Sequence, residues 1–195
     1  MPTLRARRSR RLTPLALAPA AALLVALVGC SDTPEIPDAD PAPSASPLFA
    51  SEEEALEAAT AVYEEYVGVS NQVLADGGSD PERVARFLSP DIFESEAAGF
   101  AAVATEGTSF EGGTQITGFR LQQVADGPDG GADVQLYVCV TNEGTVRLGR
   151  DGMPTAEQPP TFLGTFEVIV SFRPEVEPII DRKDLWAEGN QCDVG

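Results

Sequence analysis

Apolar side chains recur three and four residues apart between residues 51 and 106, and at every second position between 114 and 188. The first stretch opens on a capping box: the Ser51 hydroxyl is placed to accept from the Glu54 N–H while the Glu54 side chain reaches back. Ala55, Leu56, Ala59, Val62, Tyr63, Tyr66, Val67, Val73 and Leu74 then share one face, with Glu53, Glu57, Glu64 and Glu65 largely on the other, which predicts a long helix ended by Gly77-Gly78. Ser79-Asp80-Pro81 predicts a cap and a short second helix through Val84, Phe87 and Leu88. Ser89-Pro90 repeats the device for a third, weaker helix through Ile92, Phe93, Ala97, Phe100 and Val103, closed by Gly107 and Gly112-Gly113.

Beyond Gly113 the period becomes two. Thr114 to Val124 sets Ile116, Gly118 and Arg120 against Thr117, Phe119 and Leu121, and Asp126 to Gly131 reads as a turn. Val134, Leu136, Val138 and Val140 alternate with Gln135, Tyr137, Cys139 and Thr141. Further strands are expected at 145–148, 161–173 and 179–188. Helices followed by strands joined by short turns predict an α+β domain over residues 51–195, with a mostly antiparallel sheet covered on one face by the helices. The irregular stretch from Gly149 to Pro160 is long enough to carry recognition or to be a plain excursion.

The N-terminal residues follow neither pattern. Arg5, Arg7, Arg8, Arg10 and Arg11 precede an apolar run from Leu12 to Val28, and residues 1–29 contain no acid. A spanning helix needs about 20 apolar residues, and Pro19 interrupts this shorter run, so it reads as the core of an export signal. Leu27-Val28-Gly29-Cys30 resembles a bacterial lipobox. That resemblance implies cleavage after residue 29 and a diacylglyceryl thioether on Cys30, whose two chains give a stable membrane anchor. Residues 30–50 are the lipidated cysteine and a tether rich in proline and acid. Its reach is about 60 Å as polyproline and about 25 Å as a flexible coil.

Composition narrows the chemistry. The 195 residues hold 13 Lys and Arg against 31 Asp and Glu, and no histidine. The charge excludes a basic nucleic-acid interface, and the missing imidazole excludes Ser-His-Asp and Cys-His nucleophiles. Removing residues 1–29 and the tether leaves 27 acids against 8 basic residues, a net charge of minus 19 on residues 51–195. With Cys30 assigned to lipid, Cys139 and Cys192 remain as an even pair in an oxidising compartment and are expected to form a disulfide. It would close about 53 residues and contribute about 4 kcal/mol in the chain-entropy model. Free thiols are the alternative. Asp126, Asp129 and Asp133 lie in a Gly-rich loop, but without the ligand order of a calcium loop they read as a hairpin turn.

Val138-Cys139-Val140, Gly144, Trp186 and Cys192, following the three helices, resemble a group of exported actinobacterial lipoproteins of the nuclear transport factor two-like superfamily. The resemblance covers about residues 51–195. It implies a cone-shaped, curved antiparallel sheet packed on a long N-terminal helix and two shorter ones. Thr141-Asn142 departs from that group, whose members often have an acid and a serine there. Ketosteroid-isomerase and polyketide-cyclase relatives use a carboxylate in an apolar cavity with a tyrosine. Tyr63, Tyr66 and Tyr137 are the candidate tyrosines, and Asp91 and Asp133 the candidate carboxylates. Tyr63, Tyr66, Phe119, Phe166, Phe172 and Trp186 are candidates for a cavity lining or for ordinary core. No catalytic, cofactor-binding or metal-ligating set is assigned. The expected function is a non-catalytic binding or accessory module, anchored through acylated Cys30 to the outer face of the cytoplasmic membrane, with a protein or small-molecule partner and no nucleic acid. An enzyme using a buried carboxylate and a structural envelope protein are the alternatives.

Overall fold

A computed structural model describes residues 47–187. The expected signal, Cys30, most of the tether and Cys192 lie outside the described residues. The domain is α+β. Helix α1 runs Glu52–Ala75, a 3-10 helix Pro81–Phe87 and helix α2 Pro90–Glu106. Six strands follow: β1 Ser109–Glu111, β2 Gln115–Asp126, β3 Ala132–Thr141, β4 Val146–Leu148, β5 Leu163–Arg173 and β6 Val176–Leu185. Strands β2, β3, β5 and β6 form an antiparallel sheet in that order, and β1 pairs with β4 in a separate two-stranded sheet.

The capping box sets the start of α1. Ser51 accepts from the Glu54 N–H at 3.2 Å, and the Glu54 carboxylate accepts from the Ala50 N–H at 2.7 Å, one residue earlier than the usual box. Phe49 packs edge-on against Phe172, with ring centroids 5.0 Å apart, so the residues just before α1 are already fixed to the domain. At the other end of α1, Gly78 is demanded by its surroundings. Its φ is +78°, and a Cβ there would lie 2.1 Å from the Phe100 carbonyl oxygen. The backbones of α1 and α2 therefore meet at this glycine.

Four expectations are corrected. The second helix is 3-10, and Asp80 precedes it in the left-handed region at φ 52° without capping it through its side chain. The third helix is not weak: it has 17 residues and ends on Gly107 in the left-handed region. In β2, Ile116, Phe119, Leu121 and Val124 all pack against the core, because bulges between Ile116 and Gly118 and between Leu121 and Gln123 each shift the alternation by one residue. Strand β6 begins at Val176 rather than 179, and Trp186 falls just beyond it. Pro178 is tolerated because β6 lies at the sheet edge, where a missing N–H breaks no ladder bond.

The core forms between α1 and one face of the four-stranded sheet. Ala55, Ala59, Tyr63, Tyr66 and Val67 meet Val134, Leu136, Val138 and Val140 of β3, with Val168, Val170 and Ile180 from the neighbouring strands. The expected alternation along β3 thus sets the buried face. Cys139 falls on the opposite face, paired between Gly118 and Thr165.

Candidate functional site

Apolar packing does not fill the space between α1, α2 and the sheet. A cavity of about 520 Å³ remains, walled by the C-terminal half of α1, one side of α2, the ends of β3 and β5, and the segment before β5. Its apolar lining includes Val67, Leu74, Val103 and Val140 with the rings of Tyr63, Tyr66, Phe100, Phe110, Phe162 and Phe166. Among the lining residues Ser95 and Gly99 on α2 and Phe162 before β5 are exposed, which marks where the cavity opens.

One cation faces this space. Lys183, the sole lysine in the chain, is opposite Val168 in the sheet and shares its inward face. A register shift between Ile169 and Val170 brings Ile180 and Lys183 onto that face together. The Lys183 ammonium donates to the Tyr66 hydroxyl at 2.7 Å and pairs with Glu96 of α2. It also lies 5.0 Å from the Tyr66 ring centroid and 5.5 Å from that of Phe166, within reach of the negative ring faces. The two ionic side chains are 16% and 24% exposed, so solvent screens the pair only partly.

Both cavity tyrosines are held as neutral phenols. Burial pushes Tyr66 well above the ordinary phenol range, and the Glu96 charge and hydrogen bond push it the same way. Burial also raises Tyr63, against a smaller opposing effect of the Lys183 charge. An ammonium has three donors. Two are engaged within the described residues, and the arrangement can offer the third to an acceptor on a bound molecule.

The rim is held by side chains bonded to backbone. Asn71 of α1 takes both polar groups of Thr114, donating to its carbonyl at 2.8 Å and accepting from its N–H at 2.9 Å. Asn142 accepts from the Phe162 N–H at 2.6 Å and donates to the Pro160 carbonyl at 3.0 Å. Thr145 both accepts from the Gly113 N–H and donates to the Gly113 carbonyl. The stretch before β5, expected as either recognition loop or excursion, thus closes one side of the cavity.

The candidates named from sequence divide sharply. Tyr63, Tyr66 and Phe166 line the cavity. Tyr137 does not: it packs edge-on against Trp186 on the other face of the sheet, with centroids 5.0 Å apart. Phe119 fills core against Tyr63, and Phe172 holds Phe49. Asp91 is exposed in the first turn of α2. Asp133 pairs with Arg173 and accepts from Ser171, both at 2.9 Å, away from the cavity. Asp126 ends β2 and Asp129 lies within the turn that the Gly127 N–H closes on the Gly131 carbonyl. Glu96 and Lys183 were missed as site residues. Two signals pointed to them: one lysine among twelve arginines, and a carboxylate at helical spacing within the stripe Phe93, Phe100 and Val103.

Among the described residues no helix is long and apolar enough to cross a membrane. No protein-family model and no curated protein matches the chain. Solved structures do resemble it. The intermembrane space region of the chloroplast protein ARC6 aligns with a TM-score of 0.50 at 12% identity, over 67% of this chain and 95% of that one. A periplasmic fragment of TraM gives 0.42 at 12% identity, over 65% and 96%. Aln2 from a Streptomyces species gives 0.37 at 18% identity, over 69% and 90%. The likeness to ARC6 is one of fold alone.

Proposed function

We propose that the chain is an exported, lipid-anchored protein whose domain, on a nuclear transport factor two-like scaffold, binds a largely apolar small molecule carrying one hydrogen-bond acceptor. The placement of Lys183 carries this reading. Partial desolvation of an ammonium is costly, and the chain's sole lysine bears that cost in the wall of an aromatic cavity, beside Tyr66 and Glu96. Ligand sites have this composition: an apolar enclosure of about 300–1,000 Å³ with a few polar groups that fix orientation. The ligand's acceptor takes the remaining Lys183 donor, and its apolar body lies against the rings.

Binding fits the site better than proton transfer. A general base must be available to its substrate, whereas Glu96 is already committed to an ammonium and a phenol. Export and anchoring rest on the arginine leader, the apolar run and the Cys30 motif. A domain of net charge minus 19 is repelled by an anionic lipid surface, so attachment depends on the acylated cysteine. A Cys139–Cys192 bridge is part of the same proposal.

Prodan, a neutral naphthalene ketone, tests the cavity. On binding, its emission rises and moves to the blue as it leaves water. Lys183→Met should weaken binding about tenfold, equivalent to one hydrogen bond of about 1.4 kcal/mol, and move the emission of the residual complex further to the blue. Wild-type protein that leaves the dye in water refutes the reading. Anchoring is tested separately: lipid labelling that persists in Cys30→Ala removes the lipoprotein assignment.

A further inference from the structure

Gly99 lies in the middle of α2, where glycine is destabilising relative to alanine. Two ordinary reasons for a glycine fail here. The backbone is helical, so no left-handed conformation requires it, and a Cβ added at Gly99 would meet no atom within 4 Å. Gly78, wedged against the α2 backbone, shows what a packing requirement looks like. Gly99 is instead exposed and lines the cavity, as does Phe162.

Phe162 is held from both sides of its peptide. Asn142 accepts from its N–H at 2.6 Å, and the Thr141 hydroxyl donates to its carbonyl at 2.9 Å. Its ring folds back over Gly164, where a Cβ would lie 2.3 Å from the ring, and comes within 6.3 Å of the Phe166 centroid. Phe162 is 36% exposed, so this aromatic is fixed by bonding and by a glycine beneath it rather than by burial in the core.

We propose that Gly99 and Phe162 form the port of the cavity and set the size of the molecule admitted. A Cβ at Gly99 would enter the opening with no atom of the fold within 4 Å, and loss of the Phe162 ring would widen it. The proposal rests on the ligand-binding reading of the cavity and specifies which residues select the ligand.

Gly99→Leu separates binding from folding. Leucine is the better helix former, so the variant should melt higher than wild type yet bind Prodan about tenfold more weakly. Gly68→Leu is the control. Gly68 is also helical and exposed, with nothing within 4 Å of an added Cβ, but lies outside the cavity lining. It should raise the melting temperature and leave affinity within about twofold. Phe162→Ala is read with Laurdan, which carries the same fluorophore on a longer acyl chain: its affinity relative to Prodan should rise about threefold or more. Binding of Prodan by Gly99→Leu at wild-type strength overturns the port while leaving the cavity reading intact. An unchanged Laurdan-to-Prodan ratio in Phe162→Ala does the same. Wild-type protein that binds neither dye overturns both.

Discussion

The Lys183–Glu96 pair joins β6 to α2 across the cavity, and a double-mutant cycle measures what that link contributes to stability. The variants are Lys183→Met, Glu96→Gln and the two combined. Unit charges about 4 Å apart attract by about 4 kcal/mol at an effective dielectric constant of about 20. Exposures of 16% and 24% mean that each charge keeps part of its hydration and lost part on folding, which offsets some of that attraction. A coupling of about 1–3 kcal/mol is therefore expected. Lys183→Met alone should cost about 2–3 kcal/mol, since it leaves a carboxylate among aromatic walls without its cation, and the double variant should cost less than the sum of the singles. Urea unfolding followed by far-ultraviolet circular dichroism supplies the four free energies, provided the slopes agree. The coupling should survive about 0.5 M salt, unlike that of an exposed pair. Losses that add to within about 0.5 kcal/mol would show that the two charges do not sense each other, and the cavity wall would need another account.

Three further expectations concern the frame around the site. Tyr63 and Tyr66 should stay silent in a tyrosinate absorbance titration until the domain unfolds. Their folded values lie above the unfolded 10.0, so the unfolded chain releases protons first and stability falls as pH rises through about 10; smooth ionisation of all three tyrosines in folded protein would contradict this. Asn71→Ala removes both bonds to the Thr114 backbone and should cost about 1–3 kcal/mol in urea unfolding, with Asn71→Asp in between because it keeps the acceptor. Gly78→Ala combines a left-handed backbone with a 2.1 Å approach to the Phe100 carbonyl oxygen and should cost at least about 2 kcal/mol; a loss within about 0.5 kcal/mol would mean that α1 and α2 can separate there freely.

Local signals were legible in the chain. Ser51 and Glu54 fixed the start of α1, and the valines of β3 fixed the buried face of the sheet, because a cap and an alternation each depend on residues a few positions apart. The faces of β2 and β6 were not legible. A bulge is set by pairing with a neighbouring strand, and it moved Phe119 and Lys183 onto faces that strict alternation does not give them. Strand β1 was hidden because three residues carry no period, and its partner β4 lies 37 positions downstream. The site suffered most from the same limitation. Tyr66, Glu96 and Lys183 come from three elements, and Lys183 is 117 positions from Tyr66. Asp91, Asp133 and Tyr137 had the right chemistry but lie elsewhere: the alternation along β3 already sets Tyr137 on the face opposite Leu136 and Val138, where it meets Trp186.

The contact between Phe49 and Phe172 gives the domain a polarity. Phe172 lies where β5 pairs with Ala132 at the start of β3, whereas Phe162 precedes the opposite end, where Leu163 pairs with Thr141. Ten residues of strand, about 30 Å, separate the two poles. The segment that leads into α1 is therefore pinned by an aromatic pair at the pole remote from Phe162 and from the Asn142 bonds that hold it.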